Sequence, residues 1–284
     1  MIGKKARRVF SAGFFCLFFC GCATLSSSIN PGIVADGLAR KNGFEKILIP
    51  TTPFLLNSYL KIKKPGAPLH VYIEGDGLAW FSKTKLSDDP TPRHTLVLNL
   101  ASEDDADNVA YLARPCQYTS GEDSYCQPVY WSSKRFSEEV IGSMSQAVDK
   151  LKELSQAVQI HLIGYSGGGA VAVLVAARRK DVASLRTIAG NLDHEAVNRY
   201  HKVSLLMGSL NAVDFARNVS TIPQEHFFGA RDKVIPFFIA REFADKAENA
   251  SCVHITEALT ASHDTGWEEL WTGYIHKQLD CVNT

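Results

Sequence analysis

A glycine-rich turn carries the serine that is best suited to chemistry. Gly164-Tyr-Ser-Gly-Gly168 follows the apolar run 159–163 and precedes a second apolar run, 170–177. Gly-x-Ser-x-Gly between a strand and a helix is typical of a sharp turn that exposes the serine hydroxyl, since small neighbours are needed where the backbone is crowded. The helix N-terminus behind Ser166 would offer backbone N–H groups to a developing oxyanion. Ser166 is therefore the predicted nucleophile.

A serine nucleophile needs a base and an acid that orients the base, and both occur downstream. Asp232 lies in the turn 229–236 after an apolar run, and His263 lies in a loop before the last predicted helix. The order serine, acid, histidine is the one expected with this turn. Asp193 is an alternative acid, but the turn residues around Asp232 favour Asp232. Without such partners Ser166 would be a helix cap and His263 a surface histidine.

These residues must be positioned by alternating strands and helices. Strand-like and helix-like stretches alternate from residue 43 onward, which predicts an α/β fold with a mostly parallel sheet flanked by helices, in a single domain over 43–284. Strands are predicted at residues 44–50, 54–62, 69–74, 108–113, 159–164, 185–189, 225–228 and 252–256. Helices are predicted after Ser137 and at 168–180, 236–249 and 265–279. The segments 76–106 and 114–136 are expected to be loops, either at a functional rim or as plain insertions.

The N-terminus has the pattern of an export signal. Residues 4–8 are rich in lysine and arginine, and the apolar run 9–19 is too short to span a bilayer. A small residue then precedes Cys22, which resembles the lipobox of bacterial lipoproteins. Residues 1–22 are therefore predicted to be a signal peptide with a lipobox, and Cys22 the lipid-bearing mature N-terminus. An ordinary signal peptide cleaved nearby is the alternative.

The residue after the lipidated cysteine bears on localisation. Ala23 at that position resembles the signal that sorts lipoproteins of enteric bacteria to the outer membrane. A lipid-anchored protein of the cell envelope is therefore expected, in the outer membrane in preference to the inner one. Residues 23–42 show no strong periodicity and are expected to be a tether to the folded domain.

The remaining cysteines are compatible with an oxidising compartment. Beyond the lipobox the chain contains Cys116, Cys126, Cys252 and Cys281, an even number that suggests two disulfides. Three pairings are possible. The preferred pairing joins Cys116 to Cys126 and Cys252 to Cys281. The first disulfide would close a short loop, and the second would attach the C-terminal segment to a strand. No metal site is expected, since neither Cys-x-x-Cys nor His-Glu-x-x-His occurs.

The same turn also fits a dinucleotide-binding fingerprint. Gly167-x-Gly169-x-x-Ala172 follows a predicted strand, opens a helix and is followed by Asp193 at about the spacing of 20 residues that the fingerprint requires. Three observations favour the nucleophile. The motif comes after several strands instead of the first, an envelope protein has poor access to NAD, and the downstream acid and histidine occur in order. No cofactor is therefore expected.

Composition excludes several classes of protein. Of the 284 residues, 45% are hydrophobic and 21% are charged, enough apolar sequence to bury a large core. The chain has 30 basic and 30 acidic residues and hence no net charge. It therefore lacks the basic field that holds nucleic-acid phosphates, and nucleic acid is not an expected partner.

Together these motifs resemble the α/β-hydrolase superfamily over roughly residues 43–281. The matches are Gly-x-Ser-x-Gly, the acid turn at 229–236 with one shift in spacing, and a late histidine before the last helix. The resemblance implies that Ser166 is the nucleophile and that His263 is the general base and then the general acid. It implies that Asp232 orients the imidazole and stabilises its charged form.

The oxyanion loop departs from the pattern of this superfamily. Tyr72-Ile-Glu-Gly-Asp-Gly77 occupies the place of a His-Gly loop, with Glu74 instead of histidine. By that match the backbone N–H groups of Asp76 and Gly167 would bind the oxyanion. Two carboxylates nearby would oppose an oxyanion unless their side chains turn away or pair with a cation. This loop and Arg114-Pro-Cys-Gln-Tyr118 also resemble envelope-anchored α/β-hydrolases of Gram-negative bacteria.

The resemblance implies a serine hydrolase that cleaves a carboxylic ester through an acyl-enzyme, without a metal or cofactor. The expected partners are an ester or acyl substrate, with lipids among the candidates, and the membrane through the lipid anchor. The fold itself is shared by many activities. A non-catalytic envelope lipoprotein that binds through a hydrolase-like fold is the alternative function.

Overall fold

The computed structural model describes residues 1–3, 30–82, 84–119, 121–249 and 251–281. Cys22 and nearly all of the predicted signal peptide lie outside the described residues. Within those residues, no helix combines the length and the apolar character that crossing a membrane requires.

Eight strands form one sheet with the order β1-β2-β4-β3-β5-β6-β7-β8. β1 pairs with β2 and β2 with β4 in antiparallel fashion, and the other pairs are parallel. The predicted α/β fold is therefore confirmed, and every predicted strand is present with small shifts at its ends. The strands are β1 Glu45–Pro50, β2 Leu55–Ile62, β3 Leu69–Ile73, β4 Asn108–Leu112, β5 Ile160–Tyr165, β6 Val182–Ile188, β7 Gln224–Gly229 and β8 Val253–Ala258.

Helices cover both faces of the sheet and create two apolar cores. One core contains side chains of α3, α4 and α6, and the other contains side chains of α1, α2 and α7. The strands β3, β4 and β5 are buried almost throughout, which is why they are mostly apolar instead of alternating. The helices are α1 Pro31–Lys41, α2 Leu96–Glu103, α3 Glu138–Ser155, α4 Gly167–Ala176, α5 His194–His201, α6 Phe237–Ala247 and α7 Glu268–Ile275.

The first helix corrects the predicted tether. Residues 23–42 were expected to be a linker, but α1 occupies most of the second half of that range, and the folded domain begins near residue 30 instead of 43. The side chain of Asn30 accepts the backbone N–H of Gly32 at 2.8 Å and caps the helix. The face that packs on the domain is formed by two buried alanines, Ala35 and Ala39, which produce little hydrophobic periodicity.

The segment 76–106 is likewise not all loop. Its second half forms α2, which buries Val97, Leu98, Leu100 and Ala101. At eight residues α2 is too short to produce a clear helical period in the sequence.

Two disulfides join the four cysteines in the preferred pairing. Cys116 is bonded to Cys126, with the Cα atoms 5.4 Å apart, and Cys252 is bonded to Cys281, with the Cα atoms 4.1 Å apart. The first closes a loop that follows β4. The second attaches the end of the chain to the residue before β8.

Candidate active site

Ser166 lies on the sharp turn between β5 and α4. Its backbone has φ 51° and ψ −119°, a left-handed conformation that is strained for a residue with a side chain. Hydrogen bonds to the neighbouring part of the sheet hold it there. The Ser166 N–H donates to the carbonyl of Ile188 at 2.9 Å, and the N–H of Asn191 donates to the Ser166 carbonyl at 2.9 Å. The turn is therefore fixed from two sides, with the geometry of a nucleophile elbow.

The glycines of the turn are required by close approach of the backbone. A Cβ on Gly164 would overlap the carbonyl oxygen of Gly168. A Cβ on Gly168 would overlap the carbonyl oxygens of Ile73 and Glu74 at the end of β3. Any larger residue would push α4 away from the sheet, so the sequence pattern follows from the packing of the turn.

The structure brings Ser166, His263 and Asp232 together, as the sequence predicts. His263 Nε2 lies 3.0 Å from Ser166 Oγ, and His263 Nδ1 lies 2.9 Å from Asp232 Oδ2. The Asp232 side chain is only 1% exposed. Its Oδ1 accepts the backbone N–H groups of Val234 at 2.7 Å and Ile235 at 2.9 Å, which fixes the carboxylate. A proton can therefore move from Ser166 to a histidine that a buried acid orients.

The alternative acid, Asp193, has a different role. Its Oδ1 accepts the N–H of Ala196 at 3.0 Å and the side-chain amide of Asn211 at 2.7 Å. Asp193 is thus the N-cap of α5 and is already engaged there.

Two aromatic residues that sequence reasoning missed hold the His263 loop. The indole N–H of buried Trp267 donates to the carbonyls of Ser262 and His263, each at 3.0 Å. The Tyr165 hydroxyl donates to the same His263 carbonyl at 3.1 Å, and its ring centroid lies 5.4 Å from the imidazole. Tyr165 stands inside the glycine-rich turn, so its position beside the histidine could have been inferred from the motif.

Ser166 opens into a cleft of about 940 Å³. This volume is within the range of small-molecule sites. Loops from the carboxyl edge of the sheet surround the cleft together with α1 and α7. Its lining mixes apolar and charged side chains, among them Val34, Asp76, Trp80, Arg93, Arg135, Tyr165, His263, Asp264 and Glu268.

The first carboxylate of the oxyanion loop, Glu74, is buried and has both oxygens engaged within the protein. It is 3% exposed. Its Oε1 accepts the N–H of Gly75 at 2.8 Å, and its Oε2 accepts the hydroxyl of Tyr111 at 2.9 Å. Burial raises the pKa of Glu74 to about 7 despite these hydrogen bonds. A substantial fraction of Glu74 is therefore neutral near pH 7.

The second carboxylate, Asp76, is paired with two cations. Asp76 Oδ1 lies 3.3 Å from Arg114 Nη1, and Asp76 Oδ2 lies 3.3 Å from Arg135 Nε. The carboxylate rests against the Cα of Gly167, where a Cβ would overlap it. Among the described residues, the backbone N–H groups of Asp76 and Gly167 have no protein acceptor. Neither carboxylate therefore stands as a free negative charge at the predicted oxyanion position.

Further residues hold this loop, and the sequence did not reveal their roles. The Arg114 guanidinium also donates to the backbone carbonyl of Arg135. The Gln117 side chain donates to the carbonyl of Gly75 at 3.0 Å and accepts the N–H of Arg114 at 2.9 Å. Burial lowers the pKa of Arg114 to about 10. These contacts join segments that are distant in the chain.

The turn does not suit a dinucleotide. A pyrophosphate would have to approach the glycine-rich backbone, yet the Asp76 carboxylate already occupies the space against Gly167. Asp193, which the fingerprint would assign to the ribose, is occupied as a helix cap.

Comparison with known proteins supports the fold assignment. No family model and no curated protein matches the sequence. Among solved structures, Est1E from Butyrivibrio proteoclasticus has a TM-score of 0.57 at 16% identity, over 81% of this chain and 95% of that one. The esterase Pf2001 from Pyrococcus furiosus has a TM-score of 0.59 at 14% identity, over 82% and 90%. A putative dienelactone hydrolase from Klebsiella pneumoniae has a TM-score of 0.56 at 17% identity, over 78% and 86%. The chain therefore has the α/β-hydrolase fold.

Proposed function

We propose that this protein is a serine hydrolase of carboxylic esters, with Ser166, His263 and Asp232 as its catalytic residues. The observation that carries the proposal is the hydrogen-bonded chain from Ser166 Oγ through the imidazole to the Asp232 carboxylate, at 3.0 and 2.9 Å. This chain opens into a cleft large enough for a small ester. Among the proteins of similar fold, one is named an esterase and another a putative dienelactone hydrolase, which supports an ester as the substrate.

The first half of the reaction forms an acyl-enzyme. His263 accepts the hydroxyl proton of Ser166 while Oγ attacks the ester carbonyl carbon. Asp232 stabilises the imidazolium that results. The carbonyl oxygen becomes an oxyanion, to which the backbone N–H groups of Gly167 and Asp76 donate. When the intermediate collapses, the carbon–alkoxide bond breaks, His263 protonates the departing alkoxide, and an alcohol leaves.

The second half restores the serine. Water gives a proton to His263 as it attacks the acyl carbon, and the same N–H groups hold the second oxyanion. The bond between the acyl carbon and Ser166 Oγ then breaks, and His263 returns the proton to Oγ. The products are a carboxylic acid and the regenerated enzyme, with water as the only co-substrate.

Fluorophosphonate labelling of the full chain tests this proposal. The reagent phosphonylates an activated serine, so the wild type is expected to be labelled and Ser166→Ala to remain unlabelled. Ser204→Ala removes an exposed hydroxyl and is the matched control. His263→Ala should label far more slowly, because the serine loses its base. A folded wild type without label would favour the non-catalytic binding protein. Label that survives in Ser166→Ala would show that a residue other than Ser166 is the reactive nucleophile.

We further propose that the enzyme is exported and anchored to the envelope through Cys22. The two disulfides support an oxidising compartment. The chain from Cys22 to Asn30 makes eight residue-to-residue steps and can span at most about 30 Å, and Val34 of α1 lines the cleft. An anchor at Cys22 would thus hold the cleft near the membrane, within reach of lipid esters.

Incorporation of radiolabelled palmitate tests the anchor. The wild type is expected to incorporate the label and to fractionate with outer membranes, and Cys22→Ser should do neither. Cys20→Ser is the matched control, because it changes a neighbouring cysteine that leaves with the predicted signal peptide. Export of the wild type without palmitate would indicate an ordinary signal peptide instead.

A further inference from the structure

The cleft contains an arginine that the protein itself uses only in part. The Arg135 side chain is 12% exposed and lines the cleft together with Ser166. Its Nε lies 3.3 Å from Asp76 Oδ2 but lacks hydrogen-bond geometry with any acceptor. In the described part of the chain the guanidinium makes no hydrogen bond. Burying charged donors without acceptors is costly, so an acceptor from outside would complete this group.

The positive charge around Arg135 exceeds the negative charge. Arg114, 5% exposed, pairs with the same Asp76, so two guanidinium groups share one carboxylate. Glu74 is the other nearby carboxyl group, but its oxygens are taken by a backbone N–H and a tyrosine hydroxyl, and burial raises its pKa to about 7. Arg93, which is exposed, adds another cation to the lining. This part of the cleft therefore has more positive than negative charge, and a further anion would balance it.

Two acidic side chains elsewhere in the lining do not supply that anion. Asp264 accepts the hydroxyl of Ser262 at 3.3 Å, and Glu268 accepts the side-chain amide of Asn99 at 2.5 Å. Among the described residues, Arg135 forms an ion pair with Asp76, and neither Asp264 nor Glu268 lies within ion-pair distance of it.

Arg135 also lies near the reacting atoms. The Asp76 carboxylate contacts Gly167, the residue after the nucleophile, and Arg135 contacts the far oxygen of that carboxylate. A planar guanidinium with free Nη groups suits bidentate binding of a carboxylate. We propose that Arg135 binds a carboxylate on the acyl chain of the substrate, so that the enzyme acts on half-esters of dicarboxylic acids. This inference rests on the proposed esterase function and names its substrate class.

A pair of esters of equal length tests the inference. Monoethyl adipate carries a terminal carboxylate, and ethyl heptanoate has an ethyl group in its place. The full chain should hydrolyse the anionic ester with the higher kcat/KM. Arg135→Gln should lower kcat/KM for monoethyl adipate by about 10- to 100-fold, the range of a charge-assisted hydrogen bond, and for ethyl heptanoate by less than about threefold.

Two variants separate binding from general effects of charge. Lys134→Gln removes a neighbouring exposed cation, 44% exposed and 3.7 Å from Glu139, and should leave the ratio of the two esters unchanged. Arg135→Lys keeps the charge without the planar fork and should retain part of the preference. Circular dichroism establishes that each variant is folded. An equal loss for both esters in Arg135→Gln would overturn the inference and indicate that Arg135 only supports the Asp76 loop.

Calorimetric titration with adipate tests the site without turnover. The wild type should bind adipate, and Arg135→Gln should bind it about tenfold or more weakly. Adipate should also slow fluorophosphonate labelling of the wild type but not of Arg135→Gln. Normal labelling with no adipate binding and no ester preference would refute this inference alone. Absent labelling with intact adipate binding would refute the hydrolase and leave the carboxylate site standing.

Discussion

Replacing Glu74 with glutamine should stabilise the protein at alkaline pH and leave its stability at acid pH nearly unchanged. Glu74 directly follows β3, lines the cleft and is 3% exposed. Desolvation raises the pKa of its carboxyl group from 4.5 to about 7, although hydrogen bonds from Gly75 and Tyr111 and the charge of Arg114 act in the opposite direction. A charged Glu74 is therefore expensive to keep buried.

The sign and size of the effect follow from proton linkage. Between pH 4.5 and about 7 the folded protein keeps the Glu74 proton, whereas the unfolded chain has released it. The folded state thus binds more protons in this window, and its stability falls as the pH rises through it. The pKa of Glu74 is 4.5 in the unfolded chain and about 7 in the folded protein. At ~1.36 kcal/mol per pH unit, this difference corresponds to a loss of about 3 kcal/mol in the free energy of unfolding at alkaline pH. Glutamine is neutral at every pH and avoids this loss.

Urea unfolding followed by tryptophan fluorescence, without reductant, measures the effect. Subtracting the free energy of unfolding of the wild type from that of Glu74→Gln gives the stability gained by the substitution. This gain should be about 2 to 3 kcal/mol larger at pH 8.5 than at pH 4.5. Other titrating groups are common to both proteins and cancel in the difference. Glu257→Gln, at an exposed position of β8, is the matched control. Its free energy of unfolding should stay within about 0.5 kcal/mol of the wild-type value at both pH values.

Two results would refute this reasoning. A difference between Glu74→Gln and the wild type that is the same at both pH values would mean that Glu74 titrates normally when folded. A lower stability of Glu74→Gln at pH 8.5 would mean that Arg114 and the two hydrogen bonds outweigh desolvation.

Three further predictions concern the turn, the acid and the disulfides. Asp232→Asn should lower kcat for an ester by about 10³- to 10⁴-fold with little change in Tm, and full activity would exclude its role. Gly168→Ala should lower the Tm strongly, because a Cβ there would overlap the carbonyl oxygens at the end of β3. Gly142→Ala, in open space on α3, should instead raise the free energy of unfolding by about 0.5–1 kcal/mol. Similar shifts in Tm for both variants would contradict the packing argument. Replacing Cys252 and Cys281 with serine should reduce the free energy of unfolding by about 2–4 kcal/mol but leave fluorophosphonate labelling intact, and lost labelling in the folded variant would contradict this.

Much of the fold could be predicted because its central strands and longer helices repeat a clear pattern. β5 is mostly apolar and α4 is apolar throughout because both are buried, and α3 presents an apolar stripe over 18 residues. α1, α2 and α5 escaped prediction because each is short or packs through a few small side chains, as Ala35 and Ala39 do in α1. Their helical state depends on packing against the sheet more than on local propensity.

The sequence by itself determined the residue types of the site and their order along the chain. Each of the three residues Ser166, Asp232 and His263 lies in a local motif. The glycines and turn residues of these motifs are the ones that sharp turns of the backbone require. Only the tertiary structure decided that Asp232 meets the histidine, while Asp193 caps a helix. It also decided that Arg114 and Arg135 share Asp76, because those contacts form where loops from distant parts of the chain meet at one edge of the sheet. Ion pairs between such loops leave no local pattern, since their partners are set by the sheet order and not by spacing along the chain.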